Sequence, residues 1–178
     1  ISDTEAYVLR FFDKIMVVYT GTDSVKDVKT DLQIELVLFD SSFPGCKVHA
    51  GFKKAFIFTK QFTDKHVSTD LDVVFVGHSL GSGCATLAAA WYSKLGNKVS
   101  YYGAGTPRVG NLKFQSQFNK LVPNSVRFKF GTDIVNTVPF WPFYRHVGTE
   151  HHIGKSDYCC NITFFSSITD HKIRNYVI

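Results

Sequence analysis

Val73-Val74-Phe75-Val76-Gly77-His78-Ser79-Leu80-Gly81-Ser82-Gly83-Cys84-Ala85 changes character at its middle. The apolar run Val73–Val76 reads as a strand covered on both faces. From Ser79 to Leu95 the chain is rich in Ala and Leu and reads as a long buried helix. Gly77 and Gly81 flank the junction. On so sharp a turn, side chains two residues either side of Ser79 would collide with neighbouring backbone, and glycine removes the collision. The helix start then directs free N–H groups and partial positive charge at the junction.

Outward from this unit, strands and helices alternate. Ala6–Phe12 and Ile15–Thr20 read as a hairpin turning at Asp13-Lys14. Ser24–Asp31 is a polar stretch compatible with a short helix, and Gln33–Phe39 reads as a strand. Phe52, Ala55, Phe56, Thr59 and Phe62 line one face of a helix over Gly51–His66. Val99–Tyr102 and Val126–Phe130 read as strands, and Phe114, Phe118 and Leu121 mark a helix between them. Asp170–Ile178 is compatible with a short terminal helix. This order implies a single α/β domain over residues 1–178. Its central sheet is mostly parallel, flanked by helices, and begins with a β-hairpin.

Composition narrows the function classes. The chain has 178 residues, 44% of them apolar, with 20 basic against 15 acidic side chains and a net charge of +5. That is globular, neither disordered nor fibrous. No apolar run approaches the roughly 20 residues of a membrane-spanning helix. Lys and Arg are scattered and do not interleave with aromatics, which argues against nucleic-acid binding. Peripheral attraction to an anionic lipid surface stays open. Cys46, Cys84, Cys159 and Cys160 lack zinc-site spacing. Cys84 reads as a small buried hydrophobe; Cys159 or Cys160 is a candidate disulfide partner for Cys46. Asn161-Ile162-Thr163 is a glycosylation sequon. The chain begins at Ile1, so the expectation is an upstream portion removed or left out. Together these features point to secretion.

Gly77-His78-Ser79-Leu80-Gly81 matches G-x-S-x-G, the nucleophile elbow of α/β-hydrolases, in its proper strand–turn–helix context. The competing reading is a glycine-rich turn with a helix-capping serine. A serine hydroxyl is a poor nucleophile near neutral pH and needs a base, which in turn needs an orienting acid. In this fold the chain order is Ser, acid, His. Asp133, Glu150, Asp157 and Asp170 follow Ser79. Asp133 comes directly after a predicted strand, where the fold presents its acid. His146, His151, His152 and His171 are the available bases, and spacing alone does not choose between His146 and His171.

Further motifs occur in order. They are Val18-Tyr19-Thr20-Gly21-Thr22 with Asp31-Leu32, Val48-His49-Ala50-Gly51-Phe52 and Gly105-Thr106-Pro107-Arg108-Val109-Gly110-Asn111. Asp133-Ile134-Val135 with Val138-Pro139, Tyr144-Arg145-His146-Val147-Gly148-Thr149-Glu150 and Asp170-His171 complete the series. With Gly77–Gly81 they resemble the class 3 lipase family, of triacylglycerol lipases, phospholipases A1 and feruloyl esterases. The resemblance covers nearly the whole chain.

It implies an ester hydrolase with Ser79 as nucleophile, Asp133 as orienting acid and His171 as base. It also implies an oxyanion hole from the Leu80 N–H and from Thr22, with no metal or organic cofactor. The partner would be a lipid or small ester. The family's R-G-T reads Thr20-Gly21-Thr22 here, and its D-H-x-x-Y-F ending reads Asp170-His171-Lys172-Ile173-Arg174. The family's N-terminal segment, with a long helix, is absent before the first matched strand. The expectation is either a fragment of a precursor whose missing segment docks on this chain, or a reduced member. The lid position, Asp23–Asp31, carries only Val25 and Val28 as apolar residues, resembling a polar esterase flap. Phe140 and Trp141 are candidates to line an acyl or aryl pocket. The alternatives are a catalytically silent lipase-like binding module and another acyl transferase or thioesterase on the same scaffold.

Overall fold

The computed structural model describes residues 4–21, 35–140, 142–154 and 169–176. A hairpin of β1 (Ala6–Arg10) and β2 (Lys14–Tyr19) opens the chain. Then come β3 (Leu36–Leu38), β4 (Lys47–His49), α1 (Ala50–Asp64), β5 (Asp72–His78) and α2 (Leu80–Lys94). After them follow β6 (Val99–Ala104), α3 (Leu112–Leu121), β7 (Asn124–Phe130) and β8 (Thr149–Ile153). Short 3₁₀ turns occupy Ile134–Thr137 and Ile173–Tyr176.

The main sheet has the order β1-β2-β5-β6-β7-β8. Only β1 is antiparallel to its neighbour. β3 and β4 form a separate two-stranded ribbon. This is the α/β-hydrolase architecture with its initial hairpin. The parallel strands end together at one edge, and the loops from β5, β6 and β7 converge there. That convergence places the site.

The core lies between the sheet and α2, which packs on β2, β5 and β6. Ile15, Val17, Tyr19, Val73, Phe75 and Tyr101 point into it and are buried. Eleven residues of α2 are buried, as its Ala-rich sequence predicts, and Cys84 is among them. Phe39, Phe43, Phe56 and Phe114 form an aromatic cluster at one end. On α1 the apolar stripe turns at its end, so that Phe62 is exposed and Thr63 is buried. The Tyr19 and Thr63 hydroxyls pair there at 3.3 Å.

The unbroken apolar run of β5 predicts cover on both faces. Among the described residues only the α2 side has a long helix against it. Val18, Val74, Val76, Tyr102 and Phe128 on the other side are half-buried, and among the described residues no helix seals them. Cys46 is a buried free thiol, its Sγ donating to Gln117 Oε1 at 3.0 Å. Cys159, Cys160, Asn161 and the Ser24–Asp31 stretch lie outside the described residues.

Two motif residues, His49 and Asn111, turn out to be helix caps. His49 caps α1, its Nδ1 accepting from Gly51 N at 3.1 Å. Asn111 caps α3 by accepting from Phe114 N at 3.0 Å. Buried Arg127 donates through Nε to Val147 O at 2.6 Å and lies 3.4 Å from Glu150 Oε2.

Candidate active site

Ser79 stands at the turn between β5 and α2 with φ 55° and ψ −127°. It is the one non-glycine residue with positive φ among the described residues. Such a conformation costs about 1–3 kcal/mol and persists only where the surroundings enforce it. Here the Ser79 N–H donates to Ala104 O at 3.0 Å, and the Ser79 carbonyl accepts the Ser82 Oγ–H at 2.6 Å. A Cβ on Gly77 would lie 2.6 Å from the Gly81 carbonyl carbon, and one on Gly81 would lie 2.4 Å from Tyr19 O. Both obstacles are backbone. Gly77→Ala or Gly81→Ala is therefore expected to cost about 1–3 kcal/mol or more by overpacking, checked by urea melts. A loss below about 0.5 kcal/mol, the ordinary surface range, would show the elbow to be looser than this.

Asp133 follows β7 through the turn Phe130–Asp133 and is buried. Its Oδ1 accepts from Val135 N at 2.8 Å and so caps the 3₁₀ turn that follows. Its Oδ2 accepts from His171 Nδ1 at 2.8 Å. His171 Nε2 then accepts the Ser79 Oγ–H at 2.8 Å. The acceptor at Nδ1 is a carboxylate, so the Nδ1 proton and the bare Nε2 follow from the bonding pattern. The three predicted side chains form one continuous chain, all buried.

His171 lies in the turn between the helical Thr169-Asp170 and the 3₁₀ turn Ile173–Tyr176, and its neighbours hold it there. Asp170 Oδ2 accepts from both the N–H and the hydroxyl of Thr132, at 2.8 and 2.9 Å. The Tyr176 hydroxyl donates to Asp133 Oδ2 and accepts from Phe130 N at 3.1 Å. Burial, then the Asp133 charge, pushes that hydroxyl far above the ordinary tyrosine range, so it stays a neutral donor. Gly105, with φ 55°, passes beside the pair, and a Cβ there would lie 2.8 Å from His171 Cε1. Sequence reasoning missed these helpers. Tyr176 sits five residues after His171 instead of the family's three, and Gly105 gave no signal beyond its motif.

The other candidates are placed elsewhere. His146 is half-buried and its Nε2–H donates to Asn136 O at 2.7 Å, which pins the turn after Asp133. Burial, then Arg127, drives its pKa down to about 3. His151 and His152 lie exposed on β8, and Glu150 is beside Arg127. Leu80 opens α2, so its N–H lies in the first turn without an intrahelical acceptor. Phe140 is 68% exposed. Thr22 and Trp141 lie outside the described residues.

Two half-buried histidines carry a pH consequence. His78 is held near pKa 4, mainly by burial, and His146 near 3, against 6.5 when unfolded. Below pH 6.5 the unfolded chain binds protons that the native one does not, so stability falls with falling pH. The slope is at most about 1.4 kcal/mol per pH unit for each histidine. Urea melts from neutral pH down to pH 4 should show this loss, and His146→Gln should flatten it.

The family profile described as "Lipase (class 3)" matches residues 16–143. "Secreted mono- and diacylglycerol lipase 1" of Fusarium solani is 35% identical over 114 residues, 60% of this chain and 34% of that protein. The chain thus spans about a third of that relative's length. Lipase II from Rhizopus niveus superposes with a TM-score of 0.79 at 28% identity, over 95% of this chain and 74% of that one. A lipase from Rhizopus microsporus var. chinensis gives 0.74 at 31%, over 85% and 57%. With the elbow, the parallel sheet and a profile match over most of its length, the chain belongs to the class 3 lipase family.

Proposed function

We propose that this chain is the catalytic core of a serine carboxylic ester hydrolase working through an acyl-enzyme. The observation that carries the reading is the buried relay from Ser79 Oγ through His171 to Asp133, with both links at 2.8 Å. As Ser79 Oγ attacks the ester carbonyl carbon, its proton passes to His171 Nε2. Asp133 balances the imidazolium. Collapse of the tetrahedral adduct breaks the bond to the alcohol oxygen, which takes the proton from Nε2. Water then repeats the sequence on the acyl-enzyme and releases the acid. The Leu80 N–H, with Thr22, holds the oxyanion; one such donor contributes about 2.7–4 kcal/mol.

The substrate class we favour is an acylglycerol or related ester, supported by the mono- and diacylglycerol lipase named above. The named secretion of that relative supports an extracellular site of action. Phe140 and Trp141 would border the acyl or aryl group. Within this reading the polar Asp23–Asp31 stretch favours esters in solution over a strongly apolar interface.

Hydrolysis of p-nitrophenyl esters from acetate to palmitate tests the reading, together with fluorophosphonate labelling. Labelling at Ser79 and a short-chain optimum without a jump at the solubility limit are expected. A long-chain optimum with such a jump would overturn the preference for soluble esters. Absence of both labelling and hydrolysis would favour a silent binding module.

A further inference from the structure

His78 is a motif residue to which the mechanism above gives no task. It precedes Ser79 at the end of β5, and the alternation of the strand sends the two side chains apart. Both nonetheless reach His171. Ser79 Oγ meets the ring at Nε2 at 2.8 Å, while His78 Nε2 lies 2.9 Å from the His171 main-chain oxygen. A carbonyl only accepts, so His78 Nε2 carries a proton and donates it. The two imidazole rings also stack, with centroids 4.8 Å apart and planes 23° from parallel. One side chain therefore holds both the backbone and the ring face of the base.

This matters because His171 lies in the turn between the helical Thr169-Asp170 and the 3₁₀ turn Ile173–Tyr176. Asp170 ties this turn to Thr132 after β7, and Tyr176 ties it to Asp133. Neither contact sets the distance between His171 and Ser79. His78 is covalently adjacent to Ser79, so its hold on His171 refers the base to the nucleophile's own strand end. Small shifts of the turn then leave the Ser79–His171 contact intact.

We propose, resting on the ester-hydrolase reading, that His78 is a positioning residue that fixes the backbone and ring plane of His171 relative to Ser79. Misplacing a catalytic group by about 1 Å costs on the order of 10²-fold. His78→Ala is therefore expected to lower kcat about 10²-fold with KM within about twofold. The rate of fluorophosphonate labelling of Ser79 should fall alongside it. His78→Asn keeps a donor but loses the ring; His78→Phe keeps a ring but loses the donor. Each should recover part of the rate, and neither all of it.

The decisive measurement is the double-mutant cycle with His171→Ala. Because His78 acts through His171, His78→Ala should have no further effect on the small residual rate of His171→Ala. An undiminished drop in that background would overturn the proposal, as would a change in KM alone. If His78→Ala fails to fold, His78→Asn and His78→Phe carry the same cycle. Failure of the underlying reading shows separately: Ser79→Ala would then leave turnover intact, whatever His78 does.

Discussion

Ser79→Ala is expected to lower kcat by about 10⁶-fold while leaving the melting temperature within a degree or two. The side chain removed is one hydroxyl, whose bond runs to His171 Nε2 at 2.8 Å. The elbow depends on other groups: the Ser79 N–H to Ala104 O and the glycines on either side. Alanine retains the Cβ and so retains the strain of φ 55°. Ser79→Gly separates strain from chemistry. Glycine occupies positive φ freely, so this variant should be more stable than the parent by about 1 kcal/mol and equally inactive. Thermal melts and p-nitrophenyl ester turnover on the three proteins check both statements. Residual turnover within about tenfold of the parent, far above the residual of a triad knockout, would remove Ser79 from the mechanism. A glycine variant less stable than the alanine one would mean that the turn is held differently.

The legible parts of the fold were those whose pattern is local. β5, α2 and the elbow could be read because an apolar run, two glycines and an Ala-rich helix are contiguous. The helix at Phe114 and Phe118 followed from spacing, and both side chains are buried. β8 was not read as a strand, because four of its five residues are exposed and no alternation marks it. β4 has three residues, too few for a pattern. The same limit applies at the site. Asp133 could be nominated because it follows a strand directly. His171 could not be preferred over His146 by spacing, since the choice is made 92 residues away from Ser79 by tertiary folding. The family resemblance pointed to His171, and the geometry brings His171 to Ser79 while His146 bonds to Asn136. The apolar face beside Val74 and Val76 is a different case. Its sequence demands cover, and the described residues do not supply it.

The second large effect belongs to Asp133→Asn, with an expected loss in kcat of about 10⁴-fold and little change in fold. Asp133 accepts three hydrogen bonds, from Val135 N, His171 Nδ1 and the Tyr176 hydroxyl. A carboxylate has acceptors for all of them, whereas an asparagine amide has one oxygen and two N–H donors. If its oxygen faces Val135, the NH₂ group faces His171. The imidazole then does best by moving its proton to Nε2 and accepting at Nδ1. In that tautomer Nε2 offers Ser79 a proton instead of a lone pair, and no base is left. If the amide turns the other way, its NH₂ faces the Val135 N–H, and the turn that carries residue 133 loses its cap. Asparagine thus fails in either orientation, even though it matches aspartate in shape. Tyr176→Phe is the comparison that isolates the cause. It removes one donor from Oδ2 but leaves the carboxylate and the His171 tautomer unchanged, so a loss of about tenfold is expected. The two variants should therefore differ by about a thousandfold in kcat, with similar KM. Equal losses would mean that Asp133 acts through placement of its loop and not through the proton on His171 Nδ1.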